Sequence, residues 1–136
     1  MNISVAQFQP KDGAKTYNLS VIRKLAKKAK SNGADLINFY EMSVTAYTFT
    51  KELSLEQITD LAEEVPNGKS TQELIEISKE LDIPILAGLW KNMEIKLQYL
   101  YLHYWRWTGR EVSKKAALQS FETAGVAQCK AGYVWF

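Results

Sequence analysis

The chain has 136 residues, which makes one domain the default, with room for a core of modest size. Hydrophobic residues at 46% and charged residues at 24% describe an ordinary globular protein and exclude a disordered or fibrous one. A formal net charge of +2 is too small to imply a nucleic-acid partner, the single cysteine excludes an internal disulfide, and no apolar run approaches the ~20 residues of a membrane span. The opening MNISVAQFQPKDG lacks the basic leader and cleavage site of a signal peptide, so the expected location is cytoplasmic, with no membrane contact.

In chain order, weak alternation from Asn2 to Phe8 followed by QPKDG predicts a strand and a turn. Ala14, Tyr17, Val21, Ile22, Leu25, Ala26 and Ala29 then recur at helical spacing, with lysines and Arg23 between them, up to Asn32-Gly33. The lysines crowd the helix end, where they complement the macrodipole as solvated surface. The run DLINF predicts a buried strand, so strand, helix and strand form a βαβ unit with a parallel pair. Ser54 with Gln57 and Ser70 with Glu73 have the spacing of capping boxes. The second of these helices is expected to bury Leu74, Ile75, Ser78 and Leu81 before IPILAGLW forms another buried strand.

From Ile95 the pattern changes to strict period two, one face carrying Tyr99, Tyr101, His103, Trp105 and Trp107. A long strand is expected here, turning at Thr108-Gly109 into a second strand around REVSKK. His103 has no Cys, His or acidic neighbour at ligand spacing, so no metal site is expected. A single arginine between Trp105 and Trp107 is thin support for base stacking, and the seven glycines form no phosphate loop. Neither a cofactor nor a nucleic acid is expected.

Glu41 is the residue that stands out. It follows a buried strand and lies between Phe39-Tyr40 and Met42, neighbours that would raise its pKa by desolvation, as a general base requires. The structural alternative is a solvated carboxylate at a strand end.

Taken in order, VAQFQP, Asn18, LAKKAKSNGADLINFYEMSVTAY, LAEEVPNGKSTQELIEISKELDIPILAGL and Lys96-Leu97 resemble the N-terminal half of the nitrilase superfamily of carbon–nitrogen hydrolases. The resemblance covers about the first hundred residues, with the match clearest over 1–97 and a divergent tail over 98–136. It implies an α/β fold, a nitrilase-type α-β-β-α sandwich in truncated form, with parallel strands followed by an antiparallel hairpin. It implies one partial domain over 1–136, acting on small amide, nitrile or N-carbamoyl compounds if active. The family's strand commonly ends in Phe-Pro-Glu; here Phe39, Tyr40 and Glu41 correspond, which makes Glu41 the proton acceptor and Tyr40 a replacement for proline.

The family mechanism resembles a Cys-Glu-Lys triad, in which a thiolate attacks and a lysine stabilises the intermediate. Laid on SKKAALQSFE through Leu118 and Phe121, the lysine position falls on Ala117, leaving Lys114 or Lys115 as stand-ins only if the register slips. Cys129 lies fourteen residues beyond Lys115 in AQCKAGY, without the acidic or aromatic neighbour of the family's nucleophile elbow. The expected state is a truncated homologue, inactive alone, that forms homo-oligomers through uncovered strand edges. The reading from another class is a non-catalytic association module built on the Tyr99–Trp107 strand.

Overall fold

The computed structural model describes residues 1–92 and, beyond them, the backbone of 98–103, 127–129 and 132–134. Strand β1 (Ile3–Ala6) leads into helix α1 (Lys15–Ser31), then β2 (Leu36–Phe39). A 3-10 helix (Thr48–Glu52), α2 (Leu55–Leu61) and α3 (Lys69–Leu81) follow, and then β3 (Ile85–Lys91) and β4 (Gln98–His103). The four strands form one sheet in the order β1-β2-β3-β4; β5 (Ala127–Cys129) and β6 (Gly132–Val134) form a separate antiparallel pair. β1, β2 and β3 run parallel and β4 antiparallel, so β2 lies inside the sheet. This is the expected α/β arrangement of parallel strands followed by an antiparallel one. The expected strand parts at 95–97 and 104–107, and the strand around REVSKK, lie outside the described residues. No helix among the described residues is long and apolar enough to cross a membrane.

Alternation decides which side of the sheet is covered. Ile37 and Phe39 of β2 and Ile85, Ala87 and Leu89 of β3 are buried in one core with Leu19, Ile22, Ala26 and Ala29 of α1 and Leu74 and Ile77 of α3. Pairing places Ile3 beside Leu36 and Val5 beside Asn38, on the opposite side. There Ile3 is 54% and Val5 70% exposed.

Both long helices end as backbone chemistry requires. Gly33 takes φ 77°, and the Ala34 N–H donates to the Ala29 carbonyl at 3.0 Å, closing α1 over lysines that suit the negative end of the dipole. Asp82 takes the left-handed conformation after α3, and Ile83 N–H donates back to Ser78. An Arg23–Glu80 ion pair joins the two helices.

Three expectations are corrected. Tyr17 is exposed, its ring under the Lys11 ammonium at 4.0 Å, and Asn18 is buried in its place. Ile75 and Leu81 are only half-buried, and Ile77 joins Leu74 as a fully buried apolar position of α3. The Ser54–Gln57 capping box forms, but Ser70 and Glu73 make none. The N-cap of α3 lies two residues before Ser70, at Gly68, and the helix N-terminus takes a carboxylate from outside, that of Glu63.

Candidate active site

Ligand sites in parallel sheets collect where strands end, and Tyr40 and Glu41 leave the sheet at the carboxyl end of β2. The chain then folds back over β3. Val44 N–H donates to the Gly88 carbonyl at 3.0 Å, and the Gly88 N–H faces the Ser43 hydroxyl at 3.4 Å. This approach requires glycine, because a Cβ at position 88 would stand 2.6 Å from the Met42 nitrogen and 3.3 Å from the Glu41 Cα.

Two residues of the loop, Met42 at φ 60° and Ala46 at φ 65°, occupy the left-handed region that side chains resist. Both are buried, and the Ala46 N–H donates to the Met42 carbonyl at 2.8 Å.

Asn18 ties this loop to the one after β1. Its Nδ2 donates to the Lys11 carbonyl at 2.8 Å and the Val44 carbonyl at 2.9 Å, while its Oδ1 accepts from the Lys11 N–H at 2.9 Å. Gly13 N–H adds a bond to the Thr45 carbonyl at 3.0 Å. The amide is wholly buried and its bonding capacity is used on backbone groups that would otherwise be orphaned.

Between the two loops lies a cleft of about 640 Å³, lined by Gln9, Pro10, Asp12, Tyr40, Glu41, Ala46, Tyr47 and Thr48. Glu41 is more open to water than its sequence neighbours suggest, because Phe39 and Met42 are buried away while Glu41 itself is exposed. Partial desolvation still raises its carboxyl above the ordinary range. Tyr40 packs edge-on to Phe8 at 5.7 Å, and burial pushes its phenol up to about 12. Its hydroxyl is buried without a hydrogen-bond partner among the described residues.

A second carboxylate, Glu63, carries a role that no local motif announces. It accepts from Lys15 Nζ at 2.8 Å and from the Ser70 N–H and hydroxyl at 2.7 and 2.8 Å. Burial alone would raise its pKa, but the bonds from Lys15 and Ser70 outweigh this and hold it below the usual range. Its backbone bonds to Trp90 and Asn92 fasten the same residue to the end of β3. Glu63 is therefore a structural clasp between α1, α3 and the sheet.

With this geometry in view, comparison with known proteins is direct. The carbon-nitrogen hydrolase family model matches residues 2–107. The chain belongs to the carbon-nitrogen hydrolase family. A nitrilase from Pyrococcus abyssi is 27% identical over 88 residues, which are 65% of this chain and 32% of that protein. An amidase from Nesterenkonia sp. AN1 matches in structure with a TM-score of 0.60 at 18% identity, over 100% of this chain and 49% of its own. A CN-hydrolase superfamily protein from Xanthomonas campestris, solved with an arsenic adduct in its active site, gives 0.58 at 19% identity, over 73% of this chain and 35% of its own. This carbon-nitrogen hydrolase chain thus spans 32% to 49% of the length of these relatives.

The other candidates of this carbon-nitrogen hydrolase chain are only partly placed. Lys114 and Lys115 lie outside the described residues, as do Ala117, Trp105 and Trp107. The backbone of Cys129 pairs with Gly132 in the β5–β6 ribbon, and that of His103 with Leu86 in the main sheet. Among the described residues no group of three His, Cys, Asp or Glu is placed to hold a metal ion.

Proposed function

We propose that the cleft at the end of β2 is the substrate-binding part of a carbon–nitrogen hydrolase site for small amide, nitrile or N-carbamoyl compounds, with Glu41 as proton acceptor. The observation that carries this reading is the placement of Glu41. Its carboxyl, raised in pKa, lines a cleft on a loop held by Gly88, Asn18 and two left-handed residues. A raised carboxyl in a cleft is suited to taking and returning a proton near neutral pH. Such a base needs a nucleophile and an oxyanion-stabilising cation to complete acyl transfer. One variant of the Nesterenkonia amidase carries the acetamide moiety of fluoroacetamide covalently on its active site cysteine. Here Cys129 lacks an elbow sequence, and Lys114 or Lys115 fits the lysine pattern only with a slipped register.

The 136-residue chain alone therefore binds without turnover, in a cytoplasmic setting that keeps its one thiol reduced. Ammonia release from propionamide, propionitrile and N-carbamoylglycine tests this: no rate above background is expected from the wild type. Turnover lost in both Cys129→Ala and Glu41→Gln refutes the inactivity. NMR titration of a ¹³Cδ-labelled chain tests the base, and a Glu41 that ionises at or below the ordinary glutamate pKa refutes that role.

A second reading, self-association, is favoured by Ile3 and Val5, which stand more than half exposed on β1, an edge strand of the sheet among the described residues. Sedimentation at micromolar concentration distinguishes it: homo-oligomers are expected, and a monomer at all concentrations rejects it.

A further inference from the structure

The stretch between Ala46 and Glu63 holds the 3-10 helix and α2, and its first residues, Tyr47 and Thr48, line the cleft with Glu41. Among the described residues, the hydrogen bonds of 48–62 close within the stretch or on the Tyr47 carbonyl. The Thr50 N–H and hydroxyl donate to Tyr47 at 3.1 and 2.6 Å, and the Leu53 N–H donates to Thr50 at 3.3 Å. Ser54 and Gln57 bond each other in the capping box, the Thr59 hydroxyl donates to Leu55, and the Ala62 N–H donates to Ile58. Helix α2 buries no side chain, and its Leu55 is 73% exposed.

Apolar contact holds this stretch to the other loop of the cleft. A Cβ on Gly13 would stand 3.6 Å from Phe49 Cζ and 3.8 Å from Leu61 Cδ1, yet both side chains are only half-buried. The flanking residues are held differently. Val44 and Thr45 bond to Gly88 and Gly13, and the Glu63 backbone bonds to Trp90 and Asn92. A unit that bonds to itself between two fixed ends opens at lower cost than the fold around it.

We propose that residues 47–62 form a hinged strap that swings as one unit about Ala46 and Ala62, parting Phe49 and Leu61 from Gly13 and drawing Thr48 out of the cleft lining. The two end residues absorb the backbone rotation, and the bonds inside the strap survive it. Closed, the strap narrows the cleft and limits the water that reaches Glu41. Open, it widens the cleft and hydrates the carboxylate. Partial desolvation is what raises the Glu41 carboxyl, so the closed strap makes Glu41 the stronger base. That consequence rests on the proposed role of Glu41; the swing itself does not.

Hydrogen exchange of the full chain, read by NMR at increasing low urea, tests the strap. The amides of Leu53, Ile58 and Ala62 are expected to exchange through one shared opening. It should be about tenfold or more faster than that of Val44 and Ala46, with a weaker dependence on urea. Phe49→Ala removes a half-buried aromatic contact and is expected to speed the first group by a further factor of about ten, leaving the second unchanged. Leu61→Ala should act in the same direction. In a ¹³Cδ-glutamate chain, both variants should bring the Glu41 pKa down toward its ordinary value. Strap amides that match Val44 and Ala46 in rate and urea dependence overturn the proposal, as does a Phe49→Ala chain in which both groups change equally. A Glu41 pKa that neither variant moves overturns the link between strap and cleft. If wild-type Glu41 ionises at or below the ordinary glutamate pKa while the strap amides still exchange together, the base role falls and the strap holds.

Discussion

Replacing Asn18 by aspartate changes one nitrogen to oxygen at the point where two loops are joined. The Lys11 N–H keeps its acceptor, but the atom that donated to the Lys11 and Val44 carbonyls, at 2.8 and 2.9 Å, becomes an oxygen facing two oxygens. The site is wholly buried, so an ionised carboxyl there is uncompensated and the fold must protonate it. Holding a carboxyl neutral at pH 7, about three units above its ordinary pKa, costs about 4 kcal/mol at roughly 1.4 kcal/mol per unit. The protonated form restores only one of the two donated bonds, which adds about 1 kcal/mol. Asn18→Asp is therefore expected to lose about 4–5 kcal/mol at pH 7, a large part of the ~5–15 kcal/mol that a domain has. The sign with pH follows. The introduced group has a folded pKa above its unfolded one, so the native state binds more protons and the deficit grows as pH rises. Urea unfolding of variant and wild type at pH 7 and pH 5 measures the gap, which should narrow by about 1.4 kcal/mol per unit on acidification. Equal stability at pH 7, or a gap independent of pH, would refute the assignment of Asn18 as the bridge between the loops.

Three further outcomes are expected. Glu63→Gln removes the charge that Lys15 and Ser70 hold, and should cost about 2 kcal/mol at pH 7 in chemical denaturation. Because the native Glu63 pKa is lowered, the wild type's advantage is full above the ordinary carboxylate pKa and fades as pH falls through the folded value. Tyr40 has the opposite sign, since its phenol is raised to about 12. Thermal unfolding between pH 10 and 12 should show stability falling more steeply in the wild type than in Tyr40→Phe, by about 1 kcal/mol once solvent screening of this partly buried phenol is allowed for. Gly33→Ala meets no atom within 4 Å but must hold φ 77°; calorimetry should show a loss of about 1 kcal/mol from conformation alone.

Much of the sheet and helix order was legible because burial imposes periodicity on side chains. The runs LINF and ILAGLW could serve only as strands covered by helices, and their order implied the βαβ unit. Tyr17 and Asn18 show the limit. Hydrophobicity places the tyrosine inward, but Asn18 can bond three backbone groups of two loops, and that long-range geometry decides which residue α1 buries. Glu63 was illegible for the same reason: its partner Ser70 suggested a local capping box, and the carboxylate that caps α3 comes from outside the motif. Glu41 was legible in position, at the end of β2, but not in exposure, since Phe39 and Met42 point away from the water that reaches it.

The contact at Gly88 separates two kinds of selection. A library randomised across β3 and screened only for folding would hold positions 85, 87 and 89 to apolar residues that fill the core beneath α1 and α3. At position 88 the constraint comes from the loop above, whose Met42 nitrogen leaves no room for a methyl group. A side chain accommodated there by displacing the loop would preserve the sheet while moving Glu41 out of place. Survivors of a folding screen and survivors of a ligand-capture screen should therefore diverge at that one codon, far along the chain from the carboxylate it governs.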